Sequence, residues 1–141
     1  MSSSDVVVIG AGAAGAAAAF HLSASGHKVT VLERDGGGEV EACRIKPCGG
    51  GMAASVQQWF PFDLAPAVDE VIERVEFSWC LEDPVVAELP GSAPFWIVRR
   101  ERLDALLMAK AIDHGADLQR GFSVSSVQKH DNRWQVTASD G

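Results

Sequence analysis

An α/β fold built on a parallel sheet is predicted by three observations. The apolar run Val6-Val7-Val8-Ile9 leads directly into Gly10-Ala11-Gly12-Ala13-Ala14-Gly15. An alanine-rich segment follows that reads as a helix from Ala13 to about Ser25, with Gly26 as its stop. A second apolar segment, Lys28 to Leu32, ends in the acid Glu33. Strand, glycine turn, helix and strand make a βαβ unit, whose two strands run parallel.

Each glycine of the turn has its own task. The first permits a tight turn, the second lets backbone approach a phosphate, and the third lets the helix pack closely on the strand. The helix then aims its free N–H groups and positive dipole end at the anion. Gly10, Gly12, Ala13, Ala14 and Gly15 are therefore candidate diphosphate-binding residues. Glu33 lies about 20 residues past the glycines, where an acid can accept hydrogen bonds from a ribose 2′-OH and repel a 2′-phosphate. An ordinary βαβ unit would not require an acid at that point. The fold class expected is thus Rossmann-like, FAD/NAD(P)-binding, with additional strands.

The segment after Glu33 separates the two cofactors. Arg34-Asp35-Gly36-Gly37-Gly38 and Lys46-Pro47-Cys48-Gly49-Gly50-Gly51-Met52 cannot continue a regular helix or strand. They read as a long loop lying along an extended ligand. FAD is such a ligand, because its flavin end must be housed beyond the pyrophosphate.

Met52 to Trp59 reads as a short helix, ended by Phe60-Pro61-Phe62. Asp63 to Asp69 reads as a loop or short turn. Val71 to Cys80 alternates as a strand with one buried face. Pro84, Pro90, Gly91 and Pro94 leave room for a short strand at Val85-Val86-Ala87, and Phe95 to Val98 is another. The middle strands are expected in a second sheet. Arg100 to His114 is the second long helix, with a stripe at Leu103, Leu106 and Leu107 that Lys110 and Ala111 extend, and Gly115 stops it. Ala116-Asp117-Leu118 is a brief strand. Phe122 to Lys129 and Arg133 to Ala138 form a hairpin around His130-Asp131-Asn132. Trp59, Trp79, Trp96 and Trp134 are expected in the core.

Composition narrows the function. The 141 residues suffice for one domain with a core, and 47% are hydrophobic. A net charge of −7, from 12 basic and 19 acidic side chains, opposes nucleic-acid binding. No stretch of about 18 residues is apolar enough for a membrane span, and no basic segment precedes the first apolar run as in a signal peptide. Three cysteines leave one unpaired in any internal disulfide scheme, which suits reduced thiols and a cytoplasmic location. The four histidines show no metal-ligand spacing, so no metal is expected.

Gly10 to Gly15 with Ala19, then Val29-Thr30-Val31-Leu32-Glu33-Arg34, resembles the N-terminus of FAD-dependent oxidoreductases related to p-hydroxybenzoate hydroxylase. Within that group, Lys46-Pro47-Cys48-Gly49-Gly50-Gly51 resembles the geranylgeranyl reductase family, flavoenzymes that reduce isolated double bonds of prenyl chains. Arg100-Glu101-Arg102-Leu103-Asp104 resembles the helix start whose arginine lies near the cofactor across the group. The resemblance implies FAD as cofactor and a small-molecule or prenyl-lipid substrate. The electron donor stays open between NADPH and reduced ferredoxin. Any membrane association would be peripheral, through a lipid substrate.

By the same resemblance, Arg34 lies near the adenosine or is a surface charge. Arg100 would offer a planar donor fork to phosphate or ribose oxygen. Cys48, Gly49, Gly50 and Gly51 lie near the flavin ring. Cys48 is the catalytic candidate, as a proton donor to the substrate carbon or as a group that shapes the pocket. Members of the group are normally longer and carry a late strand, a second FAD motif built on Gly-Asp, and a substrate domain. None of these is visible here, so residues 1–141 are expected to be the N-terminal portion of an FAD-binding domain. Without the closing strand, an edge of the parallel sheet would be exposed. Two other functions fit the same residues: a flavin monooxygenase or halogenase-like enzyme of this fold, or a non-catalytic dinucleotide-binding module.

Overall fold

The computed structural model describes residues 3–36, 47–88 and 95–140. Most of the loop expected between Arg34 and Gly51, Cys43 included, lies outside them, as do Pro90, Gly91 and Pro94. In chain order the elements are β1 (Val6–Ile9), α1 (Ala13–Ala24), β2 (Val29–Glu33), β3 (Gly51–Ala53), 3-10 turns at Ala54–Trp59 and Ala65–Ala67, β4 (Val68–Ile72), β5 (Arg74–Trp79), β6 (Glu82–Glu88), β7 (Phe95–Val98), α2 (Arg100–Asp113), β8 (Asp117–Arg120), β9 (Phe122–His130) and β10 (Arg133–Asp140). They divide into two compact units, Met1–Arg44 with Asp104–Gly141, and Ile45–Leu103. The division falls inside α2.

The first unit carries the predicted βαβ core. Its sheet has the order β1-β2-β8, all parallel, with Val6 to Ile9 opposite Val29 to Leu32 and Thr30 to Glu33 opposite Asp117 to Arg120. The inner strand β2 is buried from Val29 to Leu32, as expected for a parallel strand covered on both faces. Ala16 and Ala19 of α1 are fully buried, and Phe20 beside them is the largest buried side chain of the unit. The Phe20 ring meets His21 and His114 edge-on, with centroids 5.0 and 4.9 Å away. In α2 the buried residues are Leu103, Asp104, Leu107, Met108 and Ala111, while Leu106 is only half-buried. The stripe is therefore rotated toward Asp104 and Met108 from the one expected. Among the described residues β1 pairs with β2 alone, and Val7 and Ile9 are exposed. The expected open edge lies on β1.

The second unit is built of antiparallel strands. β7 is the centre of a three-stranded sheet, order β3-β7-β4, and β5 pairs with β6 in a separate hairpin. Gln57 ties its connecting segment together: its Nε2 donates to the Phe62 carbonyl at 2.7 Å, and its Oε1 accepts the Leu64 N–H at 2.9 Å.

Three expectations are corrected, two of them wholly in this unit. The strand expected from Val71 to Cys80 is broken at Glu73 into β4 and β5, because the first part pairs with β7 and the second with β6. Alternation records the pleat of each strand but not a change of partner between them. The helix expected from Met52 is a short strand to Ala53 followed by a 3-10 turn, since β3 pairs with β7. The tryptophans are not core residues: Trp59, Trp79 and Trp134 are largely exposed and Trp96 is half-buried. Trp79 stands on the two-stranded hairpin, where a single pleated ribbon has nothing of its own to cover its apolar face. No helix of the described residues is long and apolar enough to cross a membrane.

One buried group is out of balance. Ser23 Oγ, on the covered face of α1, has no hydrogen-bond partner among the described residues. A buried hydroxyl without a partner costs about 1–3 kcal/mol. Ser23→Ala is expected to raise stability by roughly 1 kcal/mol in chemical denaturation. An equal or lower midpoint would show that the hydroxyl has a partner in solution.

Candidate functional site

The glycine turn sits at the C-terminal ends of β1 and β2. Gly10 has φ +96°, a left-handed conformation that only glycine adopts without strain. Its N–H donates to the Leu32 carbonyl at 2.8 Å, which fastens the turn to β2. Gly12 is the N-cap of α1 with extended backbone, φ −73° and ψ 177°, and no side chain caps the helix. Any residue can adopt that conformation, so what glycine adds at position 12 is room for a close approach. Gly15 is fixed by packing. A Cβ there would stand 2.0 Å from the Gly10 carbonyl oxygen and 3.3 Å from Val8 Cγ1.

These contacts set out an anion cradle. The first N–H groups of a helix have no intrahelical acceptor, and at α1 they belong to Gly12, Ala13, Ala14 and Gly15. The first such bond in α1 runs from the Ala16 N–H to the Gly12 carbonyl, 2.8 Å. No acidic residue occupies the first turn of α1 itself. Glu33 stands beside the cradle, its Oε2 accepting the Ala11 N–H at 2.7 Å and its Oε1 accepting the Asp35 N–H at 3.1 Å. Helix donors for a diphosphate and a carboxylate for a ribose therefore lie together in the first unit. The arrangement fits an adenine dinucleotide. Arg34 is exposed in the same unit, with Nε 4.0 Å from Asp35 Oδ1.

Cys48, Gly49, Gly50, Gly51 and Arg100 all belong to the second unit. Gly50 has φ +74°, and a Cβ on it would lie 2.1 Å from the Val98 carbonyl oxygen. Its own carbonyl accepts the Val98 N–H at 2.9 Å, so the triglycine is clamped to the end of β7. The Gly50 N–H donates to Cys48 Sγ at 3.4 Å, which orients an exposed thiol. Gly51 stands against the Phe95 ring, 3.0 Å from its carbons to an added Cβ. Gly49 is different, because nothing among the described residues lies within 4 Å of the place its Cβ would take.

Arg100 opens α2 and is half-buried. Its neighbours Arg99 and Arg102 both bind Asp69 of β4. Arg99 Nε donates to one carboxylate oxygen, and Arg102 Nη1 donates to the other at 3.0 Å. The hydrogen bond and charge of Asp69 raise the Arg99 pKa further above its ordinary value. Sequence reasoning missed Asp69. The available signal was the pair of arginines three apart, which share one side of a helix start.

Comparison with known proteins bears on the fold and the cofactor. Residues 5–43 match the family described as FAD dependent oxidoreductase. The chain is 28% identical over 138 residues to a probable electron transfer flavoprotein-quinone oxidoreductase of Escherichia coli, covering 92% of this chain and 31% of that protein. Its fold is similar to that of a geranylgeranyl bacteriochlorophyll reductase-like protein from Thermoplasma acidophilum, with TM-score 0.79 and 19% identity over 96% of this chain and 36% of the other. It is also similar in fold to the halogenase PltM, solved with phloroglucinol and FAD, with TM-score 0.72 and 20% identity over 98% of this chain and 32% of the other. The chain spans about a third of the length of the first curated relatives it matches, 31% of each. The expected resemblance to FAD-dependent oxidoreductases, the Rossmann-like α/β fold and FAD as the cofactor of the matched pattern all agree with these matches.

Two substitution pairs test the geometry. Gly15→Ala is expected to destabilise by about 1–3 kcal/mol, since the helix must move off the turn. Ala14→Ser, on the exposed side of α1, is expected to change stability by less than about 0.5 kcal/mol. In the second unit, Gly50→Ala is expected to lower the melting temperature, whereas Gly49→Ala leaves it unchanged because its methyl has open space. Equal melting temperatures for the Gly49 and Gly50 variants would remove the Gly50–Val98 clamp.

Proposed function

We propose, from the FAD dependent oxidoreductase pattern at residues 5–43, that this chain is the FAD-binding portion of a flavin-dependent oxidoreductase. One observation carries the reading: a helix N-terminus held against a glycine turn, with Glu33 bonded into that turn at the end of β2. In this reading the N–H groups of Gly12, Ala13, Ala14 and Gly15 bind the diphosphate, and Glu33 accepts the adenosine ribose hydroxyls. The Glu33 charge disfavours a 2′-phosphate, which argues against NADP at this site. Arg34 extends from the same end of β2 and supplies positive charge toward the adenosine side. Arg100 offers a guanidinium fork to cofactor oxygens.

FAD, when bound, supplies two-electron chemistry that no side chain of this protein has. The polypeptide holds it and manages the proton. We assign the reaction class to reduction of isolated double bonds in prenyl chains. Support comes from Lys46-Pro47-Cys48-Gly49-Gly50-Gly51, together with the N–H that orients Cys48 Sγ. Sγ would hold the proton destined for the substrate carbon, or shape the wall against which the chain lies. Among the described residues nothing lies within 4 Å of a Cβ added at Gly49, which leaves room for a flat ring to approach.

The test begins with the absorption spectrum of the purified chain. Bands near ~370 and ~450 nm, with FAD released on heating, are the expected result. A colourless chain that also fails to bind added FAD in a fluorescence titration overturns the assignment. Glu33→Ala is expected to weaken FAD by about tenfold, the value of a hydrogen bond to a charged group. Gly49→Ala separates the flavin side: FAD affinity should fall while the melting temperature holds. Unchanged affinity would place the ring elsewhere.

A further inference from the structure

Glu33 does more in this structure than wait for a ribose. Its two carboxylate oxygens are spent on different loops, Oε2 on the Ala11 N–H inside the glycine turn and Oε1 on the Asp35 N–H beyond β2. Ala11 follows the residue whose own N–H donates to the Leu32 carbonyl. Two consecutive donors of the turn, those of Gly10 and Ala11, are thus taken by two consecutive residues of β2, Leu32 and Glu33. One acceptor is a backbone carbonyl that any residue would provide. The other is a side chain, and only an acid or amide of this length provides it.

We propose that Glu33 is a positioning residue for the phosphate cradle, setting the turn before any ligand arrives. A hydrogen bond from an amide to a carboxylate is about twice as strong as a neutral one. Here it fixes the Ala11 peptide, which joins the left-handed Gly10 to the N-cap Gly12. Removing the carboxylate frees that peptide to rotate, and the helix donors that follow lose their common aim. The anion is also directed. With the Ala11 N–H bonded to Glu33, the donors presented to a phosphate begin at Gly12, the N-cap of the helix. The Asp35 bond extends the same control to the turn that carries Arg34. The reading as a dinucleotide site supplies the ligand for this inference, but the positioning itself belongs to the ligand-free chain. An ionised carboxylate has about four acceptor sites, so the two backbone bonds are compatible with a ribose contact.

Two measurements separate positioning from ribose contact. The first needs no ligand. In ¹⁵N-labelled chain, Glu33→Ala is expected to shift the Ala11 and Asp35 amide signals and speed their hydrogen exchange, with the β9–β10 signals unchanged. Ala11 and Asp35 signals that stay where they were overturn the proposal. The second uses ADP and 2′,3′-dideoxy-ADP, which lacks the ribose hydroxyls. If Glu33 positions the cradle, Glu33→Ala weakens dideoxy-ADP by at least about fivefold, since the diphosphate donors are misaligned. If Glu33 acts only on the ribose, dideoxy-ADP affinity is unchanged and ADP alone is weakened, which overturns the proposal. Failure of the unaltered chain to bind ADP would count against the dinucleotide reading, and the amide signals would still decide the role of Glu33.

Discussion

The contact between Gly15 and the Gly10 carbonyl oxygen is the constraint on which the first unit depends. Only a hydrogen fits on the Gly15 Cα in that direction. The first turn of α1 therefore sits directly on the loop that leaves β1, and its N–H groups collect at the C-terminal ends of the parallel strands. The crevice beyond strand ends is where open α/β sheets bind their ligands. Ala16 and Ala19 carry the same close approach farther along the helix, and Phe20 closes it against His114. Once the helix is at that depth, the end of β2 lies beside the turn, and a side chain of glutamate length reaches the Ala11 N–H.

The second unit reaches its geometry by a similar route. Gly50 meets the backbone of Val98 directly, through a left-handed turn and a hydrogen bond, with no side chain between them. Cys48 is then oriented by the amide of that same glycine. On β4, Asp69 gathers Arg99 and Arg102 from the start of α2. Both arginines are about half exposed, so solvent weakens the pairs, and their value is in fixing the direction of the helix start rather than in stability. In both units, backbone-to-backbone contact at glycine sets the positions, and a carboxylate locks them.

Local chemistry made much of this legible in the sequence. The βαβ unit was readable to within a residue or two, because a strand, a glycine turn and an alanine-rich helix each leave a local signature. The hairpin at Asp131 and the helix from Arg100 were readable for the same reason. Glu33 was legible as a candidate from its distance past the glycines, but its bond to Ala11 was not, since the two are 22 residues apart and meet only when β1 and β2 pair. Asp69 was invisible in the same way, its partners lying 30 and 33 residues away. The tryptophans misled because large apolar side chains are expected in a core, whereas here Trp79 and Trp134 stand on two-stranded hairpins with one uncovered face.

By itself, the sequence determined which elements form at each end of the chain, that the first strands run parallel, and which residues could receive a diphosphate and a ribose. Those properties follow from neighbours a few positions apart, where glycine conformation, apolar period and helix caps act. Only the tertiary structure decided which strands pair, where Val71 to Cys80 divides, and why Gly15 and Gly50 must be glycine while, among the described residues, nothing crowds a Cβ at Gly49. It also decided that the Glu33 carboxylate reaches the Ala11 N–H of the turn. These depend on contacts between distant segments, and no local pattern encodes which distant atom will stand 2.0 Å from a missing Cβ.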